Sequence, residues 1–288
     1  MSRAFARFLL ALSLSGFVCG SAAQQAGNNE SPCLASKIVS VPNRPTVASA
    51  TDTTQCGTLE AEYGTERQWL GGGAHRGDLT GGLRLGLTPN LDLHWASGDY
   101  LSFDGMPGSE SGFGDTWLGL KYRYLTQTRA RPSLGIFYTA KIPTASAAYG
   151  LGSGRFDHSL ALLVSKDIHP FHFDFNVIPQ LVGRPAAAGY DHNVGLALAN
   201  WLPLTRRFSL VAEPYGYTAL NAGTPAFSSL MLGGTYQLNP RVVLDTGVDA
   251  GMTHGAPQKR VYVGATCALA NVYAPFRSRG RSSPSPAR

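Results

Sequence analysis

The sequence predicts an all-β fold, a closed antiparallel up-and-down transmembrane β-barrel of about 12 strands. Three observations predict it. The first residues have the composition of a secretory signal. From Gly57 to Ala270 the chain alternates apolar and polar residues over stretches of about ten positions, which is typical of membrane-spanning strands. The links between these stretches are alternately short and long.

The amino-terminal segment reads as an export signal. Arg3 and Arg7 precede an apolar run over 8–18, and small residues follow at 21–23. This order of charge, apolar core and cleavage site predicts a signal peptide over residues 1–23. No later stretch reaches the ~18 apolar residues that a spanning helix needs, so we expect any membrane crossing to be made by strands.

The next segment, 24–56, is rich in Ser, Thr, Pro, Asn and Ala and has no helical or two-residue periodicity. It predicts a disordered or extended periplasmic lead-in, and whether that lead-in enters the barrel is left open. Cys33 and Cys56 would close a loop within it by a disulfide, since the compartment beyond the inner membrane is oxidising. The alternative is that these two cysteines and Cys267 are unpaired thiols.

The barrel itself is predicted over 57–270, with twelve alternating segments. The clearest is 115–125, where Leu118, Leu120 and Tyr122 share one face while Lys121 and Arg123 share the other. Successive strand residues point to opposite faces, so one face is apolar and the other charged. After the last strand, residues 271–288 predict a basic, disordered tail.

Link length provides the second test of a barrel. Short links are expected at 88–90, 126–131, 168–170, 202–206 and 239–240, and long ones at about 66–76, 101–112, 143–155, 182–190, 219–226 and 252–259. Outer-membrane barrels place short turns in the periplasm and long loops outside. We therefore expect a bacterial outer-membrane location with both termini periplasmic. The glycine runs at 71–73 and 152–154 are interpreted as loop tips.

Charged residues recur on the face opposite the apolar one and predict the lining of the lumen. The predicted lumen-lining residues are Arg84, Asp92, His94, Asp115, Lys121, Arg123, Lys141, Asp157, Asp174, Glu213, Asp245, Asp249 and Arg260. They are consistent with solute selection and equally with a lattice of ion pairs that braces the wall. Facing positions across the turn near Thr128 predict a direct ion pair between Asp115 and Lys141.

Other chemistry is weakly supported. His169, His172 and Asp174 match no familiar metal-ligand spacing. Residues 157–159 contain Asp, His and Ser, but neighbours on a strand point in opposite directions, so they cannot form a triad. We expect no catalytic residues, no metal and no cofactor. Two of the 24 basic residues lie in the signal and four in the tail, which leaves 18 against 18 acidic ones and gives no support for nucleic-acid binding.

One stretch carries a family resemblance. Residues 112–123 (GFGDTWLGLKYR), followed by Pro132-Ser133-Leu134 and by Lys141-Ile142-Pro143-Thr144, resemble bacterial outer-membrane proteins assigned to the meta-pathway of phenol degradation. The similarity continues through 150–154, Asp157 and 165–167, and loosely covers about 57 to 270. The resemblance implies a transporter-like barrel with small aromatic or hydrophobic compounds as the suspected cargo.

The function expected from these observations is an outer-membrane channel or transporter-like barrel for small solutes. Two alternatives stay open: a structural or surface-interaction barrel with a plugged lumen, and a lipid-modifying enzyme, for which His158 is the one candidate on the lipid-facing side. The expected partners are the lipid bilayer, a small-molecule solute and the barrel-assembly machinery.

Overall fold

The structure is a computed structural model that describes residues 32–35, 37–97, 99–105, 110–185 and 187–274. The predicted signal peptide and most of the predicted tail therefore lie outside the described residues. Within the described part of the chain, no helix is long and apolar enough to span a membrane. The strands are β1 (Thr58–Gly71), β2 (Ala74–Thr88), β3 (Leu91–Ala96), β4 (Tyr100–Asp104), β5 (Gly112–Phe113), β6 (Thr116–Leu125), β7 (Ser133–Ile142), β8 (Asp157–Ile168), β9 (Phe171–Gly183), β10 (Tyr190–Pro203), β11 (Phe208–Tyr217), β12 (Phe227–Asn239), β13 (Val242–Gly251) and β14 (Lys259–Asn271).

These strands close into a ring, as predicted. Around the main ring each strand pairs antiparallel with its neighbour, and β3 pairs with β2 and β6. Because β1 pairs with both β2 and β14, no edge remains in the main ring. The strand β4 continues the line of β3 along β2, and β5 pairs with β4 above β6. The ring thus has twelve strands. Closure satisfies the backbone of every spanning strand within the wall.

The links confirm most of the predicted pattern, with two corrections. The predicted long loop at 66–76 is wrong, because β1 and β2 pair up to Gly71 and Ala74. Three glycines with positive φ, Gly71 to Gly73, make the tight turn between them, a backbone conformation that favours glycine. The predicted loop at 101–112 is also too long, since β4 occupies its first part. We call the two ends of the barrel the short-turn end and the long-loop end; β1 starts and β14 finishes at the short-turn end.

The two faces of the wall differ as the alternation predicts. Large apolar side chains face outward and are exposed to the surroundings, as at Leu120, Leu162, Leu232 and Val263. Inward-facing residues are buried, and the apolar core lies in the lumen around Ala197, Val211 and Met231. An apolar outer surface on a closed ring is what a lipid bilayer requires, so the fold is a transmembrane barrel.

Glycine and tyrosine alternate across neighbouring strands inside the lumen. The ring of Tyr262 on β14 lies directly over Gly247 on β13, and the ring of Tyr217 on β11 lies over Gly195 on β10. A Cβ atom at either glycine would overlap the tyrosine ring. These glycines therefore allow large rings to lie flat against the wall of a narrow barrel.

This packing predicts that Gly247→Ala destabilises the barrel by about 1–3 kcal/mol, because the buried Tyr262 ring must leave its position. The measurement is the temperature at which the purified protein loses its folded band in heat-modifiability gels. Gly77→Ala is the matched control, since a Cβ there makes only ordinary contacts. Equal unfolding temperatures for both variants would contradict this account of the packing.

Candidate functional site

The lumen is occupied by the chain's own amino-terminal segment. Residues 38–56, which we call the plug, follow the inner wall from β13 past β11, β9, β8 and β6 to β3 before joining β1. The plug forms no strand or helix, as its composition predicts. The sequence left open whether this segment enters the lumen. The structure places it there, so this part of the predicted periplasmic lead-in lies inside the barrel.

The wall holds the plug by its backbone. Six inward side chains accept hydrogen bonds from seven N–H groups of the plug. The N–H groups belong to Val41, Asn43, Val47, Ala48, Ser49, Thr51 and Thr54, and the acceptors are Glu60, Glu62, Glu213, Asn176, Ser165 and Asp92. A buried N–H without an acceptor costs about 1–3 kcal/mol, so these side chains are what permits an irregular chain to lie there.

Glu213 is the one of these six acceptors that binds two N–H groups of the plug. Its two carboxylate oxygens accept from the N–H groups of Val47 and Ala48 at 2.8 and 2.6 Å. The side chain is completely buried. Val47 and Ala48 pack into the apolar cluster of the lumen, so this anchor holds the plug where it meets the middle of the barrel.

The cations in the part of the lumen nearer the short-turn end, which we call the lower lumen, bind the plug as well. Arg84 contacts Glu60 and Glu62 and donates to the carbonyl oxygen of Val41 at 2.8 Å. Lys121, fully buried, lies 3.3 Å from Asn43 Oδ1 and 3.4 Å from the carbonyl oxygen of Ala50.

Two arginines make ion pairs between plug and wall. Arg123 pairs with Asp52 at 2.6 Å, and Arg44 of the plug pairs with Asp245 at 3.3 Å. Positive charges therefore satisfy carbonyls and carboxylates in the same region where acidic side chains satisfy N–H groups.

Two further predicted residues support the plug indirectly. His94 hydrogen bonds to Asp92 at 2.9 Å, which is the acceptor for Thr54. Asp174 accepts from Ser165 at 2.6 Å and lies 3.0 Å from His172, which also contacts Asp167. His172 thus bridges two carboxylates near the short-turn end.

A disulfide joins the residues just before the plug to the end of the plug. Cys33 and Cys56 are bonded, 23 residues apart, and the plug lies in the loop that they close. The side-chain amide of Asn271, at the end of β14, donates to the carbonyl oxygen of Cys33 at 3.1 Å. Cys267 is a free cysteine on the outward face.

Three of the predicted residues lie together near the long-loop end. Lys141 contacts Asp115 at 3.4 Å and Asp157 at 2.6 Å, and it donates to Ser153. The predicted ion pair is confirmed, although Lys141 stands opposite Trp117 and the register differs by two positions from the predicted one. Asp115 also accepts from the N–H of Ala145, so this cluster fixes the loop over 143–156 to the wall.

A cavity of about 270 Å³ lies above the plug, that is, between the plug and the long-loop end. It is lined by Val47, Gln68, Tyr215, Tyr217, Phe227, Asp249, Pro257 and Arg260. The Tyr217 and Phe227 rings stack with centroids 5.4 Å apart, and Tyr215 meets Phe227 edge to face at 6.2 Å. Sequence analysis missed these three rings, although Tyr215 and Tyr217 follow Glu213 at two-residue steps and so share its inward face.

The charges beside this cavity are paired with one another. Asp249 accepts from Arg260 at 2.7 Å and from the Tyr215 hydroxyl at 2.5 Å, and Arg260 also contacts Glu66 at 3.4 Å. The cavity therefore offers aromatic faces and hydrogen-bonding groups without an unpaired charge among these residues.

A second cavity of about 590 Å³ lies beside the first, at the long-loop ends of β10 to β12. Outward-facing Val194 and Leu196 line it, and it shares Tyr217 and Phe227 with the luminal cavity. Tyr217 and Phe227 therefore border both cavities.

The lipid-facing His158 has a tyrosine as its neighbour. Its Nδ1 lies 2.7 Å from the Tyr138 hydroxyl, and the two rings stack. Asp157 binds Lys141 on the inward face, so the two neighbours do not meet.

Fold and site together define the class of this protein, a plugged transmembrane β-barrel of the outer-membrane type. The family model described as "Putative MetA-pathway of phenol degradation" matches residues 43–269, and the chain belongs to that family. The match includes most of the plug as well as the barrel. A search of curated proteins found no match.

Solved structures show the same fold at low sequence identity. The COG4313 outer-membrane channel from Pseudomonas putida F1 is 15% identical, with a TM-score of 0.60, and the match covers 80% of this chain and 99% of that one. The NanC porin is 11% identical with a TM-score of 0.51, covering 73% and 100%. The KdgM porin is 10% identical with a TM-score of 0.50, covering 73% and 99%. These likenesses establish the barrel architecture.

If Glu213 holds the plug in place, its substitution should raise the permeability of the barrel. Glu213→Ala leaves the N–H groups of Val47 and Ala48 without acceptors, so the plug should leave its place more often and ion conductance in planar bilayers should rise about tenfold or more. Asp157→Ala removes an inward carboxylate that contacts Lys141 rather than the plug. Conductance that rises equally in both variants, or in neither, would refute the anchoring role.

If the disulfide helps to hold the plug, its removal should make the plug more mobile. Closing a loop of this length contributes roughly 3 kcal/mol, so the Cys33→Ser/Cys56→Ser variant should speed hydrogen exchange in residues 38–56 at least tenfold while the strands keep their protection. The measurement is exchange followed by mass spectrometry, with Cys267→Ser as the control. Unchanged exchange of the plug would show that the wall alone fixes it.

Proposed function

We propose that this protein is an outer-membrane channel, a transporter-like barrel that binds and passes small, neutral solutes with an aromatic or hydrophobic group. The observation that carries the proposal is the luminal cavity with its three aromatic rings and internally paired charges. A cavity of about 150 Å³ already accepts benzene, so 270 Å³ suits a molecule with one ring and a small substituent. The family to which the chain belongs supports the same class of cargo.

The position of the rings supports a route for the solute. Because Tyr217 and Phe227 border both cavities, rotation of these side chains would join the lumen to the lipid-facing surface while the plug stays in place. A hydrophobic solute would gain from such a route, since it would avoid the charged contacts beneath.

We place the short-turn end and both termini in the periplasm and the long loops outside, in keeping with barrels of this class. In this orientation the plug enters from the periplasmic side and the aromatic cavity faces the exterior. Export by a signal over 1–23 and insertion by the barrel-assembly machinery belong to the same proposal. We propose no catalytic role, since His158 engages a tyrosine.

The plug also favours a second candidate, a closed barrel with a structural or surface-interaction role. Its contacts fill the lower lumen with hydrogen-bonded protein rather than an open path. The two candidates differ in one measurable respect: a closed structural barrel has no use for a solute site above the plug.

Solute binding therefore tests the proposal. Phe227→Ala removes the ring that contacts both tyrosines, so binding of phenol to the detergent-solubilised protein, measured by saturation-transfer NMR, should weaken about tenfold, since a paired aromatic ring contributes about 1–3 kcal/mol. Phe171→Ala, on the outward face at the other end of the barrel, is the control. Galactose should bind neither protein.

Uptake completes the test. Cells that lack the gene should take up labelled phenol-like solutes more slowly, and the wild type but not Phe227→Ala should restore the rate. Absence of phenol binding together with unchanged uptake would favour the structural barrel.

A further inference from the structure

A pair of cations interrupts the apolar outer surface near the long-loop end. On β1 the even-numbered side chains Glu60, Glu62 and Glu66 face the lumen, so Arg67 and Trp69 face outward. Trp69 pairs with His75 of β2 on one side and with Lys259 of β14 on the other. We call Arg67, Trp69, His75 and Lys259 the cationic rim patch.

The patch borders the apolar outer surface of the barrel on its long-loop side; we call that apolar surface the apolar band. On β1 the next outward residue from Arg67 toward the short-turn end is Thr65, which pairs with Leu79 on one side and Val263 on the other. Leu79 and Val263 face outward and are about half exposed. A charged side chain facing lipid is unfavourable at mid-membrane and tolerated only near the interface. Arg67 and Lys259 therefore mark the level where headgroups begin.

The side chains are available to a ligand. The Arg67 side chain is 54% exposed, and its contact with Asp104, itself 75% exposed, is loose at 3.8 Å. The ammonium of Lys259 lies 4.2 Å from the centroid of the Trp69 ring, which holds it at the surface.

The patch is confined to one side of the barrel. Among the described strand residues, Arg67 and Lys259 are the only Lys or Arg on the outward face of the long-loop half. Elsewhere on this rim the outward residues include aromatic and apolar ones, such as Tyr138, Leu181 and Tyr190, and the histidines His158 and His192. Two adjacent cations with an indole between them suit a phosphate group attached to an acyl-bearing sugar, because the phosphate meets the cations while the chains meet the band below.

We propose that the cationic rim patch binds a phosphate group of the outer-leaflet glycolipid, lipopolysaccharide. Arg67 supplies a guanidinium that can contact two phosphate oxygens, and Lys259 supplies the second positive charge. The Trp69 ring holds the Lys259 ammonium at the level of the headgroups. The site lies on the outer face of β1 and β14, whereas Gln68 and Arg260 of the same strands line the luminal cavity on the inner face. It depends on the orientation proposed above but not on which solute the barrel passes.

The test uses the full-length protein in detergent and deep-rough lipopolysaccharide, with bound lipid quantified by native mass spectrometry. Arg67→Ala/Lys259→Ala should weaken binding about tenfold or more, and Arg67→Lys/Lys259→Arg should retain most of it. Arg206→Ala/Arg207→Ala removes the same charge from the exposed short turn and serves as the control.

Two further probes define the ligand. Dephosphorylated lipopolysaccharide should bind the wild type as weakly as phosphorylated lipid binds the double alanine variant. Inorganic phosphate alone should not displace the lipid at equimolar concentration; displacement would assign the patch to a free anion and overturn the proposal. Equal binding by the double alanine variant and the wild type, or an equal loss in the short-turn control, would overturn it too.

Discussion

An irregular chain inside a barrel must find acceptors for its N–H groups, and the rest of this structure depends on how the wall meets that requirement. Strands satisfy one another around the ring, but the plug has no partner strand. Carboxylate, amide and hydroxyl groups of the wall supply the acceptors, and Glu213 supplies two at once. The charges of the lower lumen are thus explained by the segment that they hold.

This arrangement separates the lumen into two parts with different chemistry. In the lower lumen, charged side chains and the backbone of the plug satisfy each other's hydrogen bonds. Above, aromatic rings laid flat over glycines leave a cavity without an unpaired charge among its lining residues. A solute that binds here is selected by the rings, while the plug decides whether a path to the other side exists.

Much of the fold follows from the sequence because strand alternation has a period of two and the inward face of each strand is fixed once one residue is placed. Because Asp115 and Lys141 both face inward, they were predicted to lie near each other. They do so although the predicted register was two positions off, since the long lysine side chain reaches across two residues of the neighbouring strand. The loop at 66–76 was predicted too long because Arg67 and Trp69, which continue β1 and face outward, resemble loop residues in a sequence.

The site was less accessible to sequence reasoning. A segment without periodicity, such as 38–56, carries no sign of what it contacts, because its hydrogen bonds use the backbone. One signal was present: acidic residues outnumber basic ones on the inward face, and the surplus carboxylates need donors from elsewhere. The inward aromatic residues at 215 and 217 were also readable by parity, but their stacking with Phe227 depends on the pairing of β11 with β12.

The position of the plug is tested most directly by cross-linking it to the wall. The hydroxyl oxygens of Thr51 and Ser133 are 2.8 Å apart. Cysteines at these two positions, with Cys267→Ser as background, should therefore form a disulfide in nearly every molecule of isolated outer membranes, seen as linked fragments after proteolysis without reductant. Two free cysteines that both react with a water-soluble maleimide would contradict a lumen filled by residues 38–56.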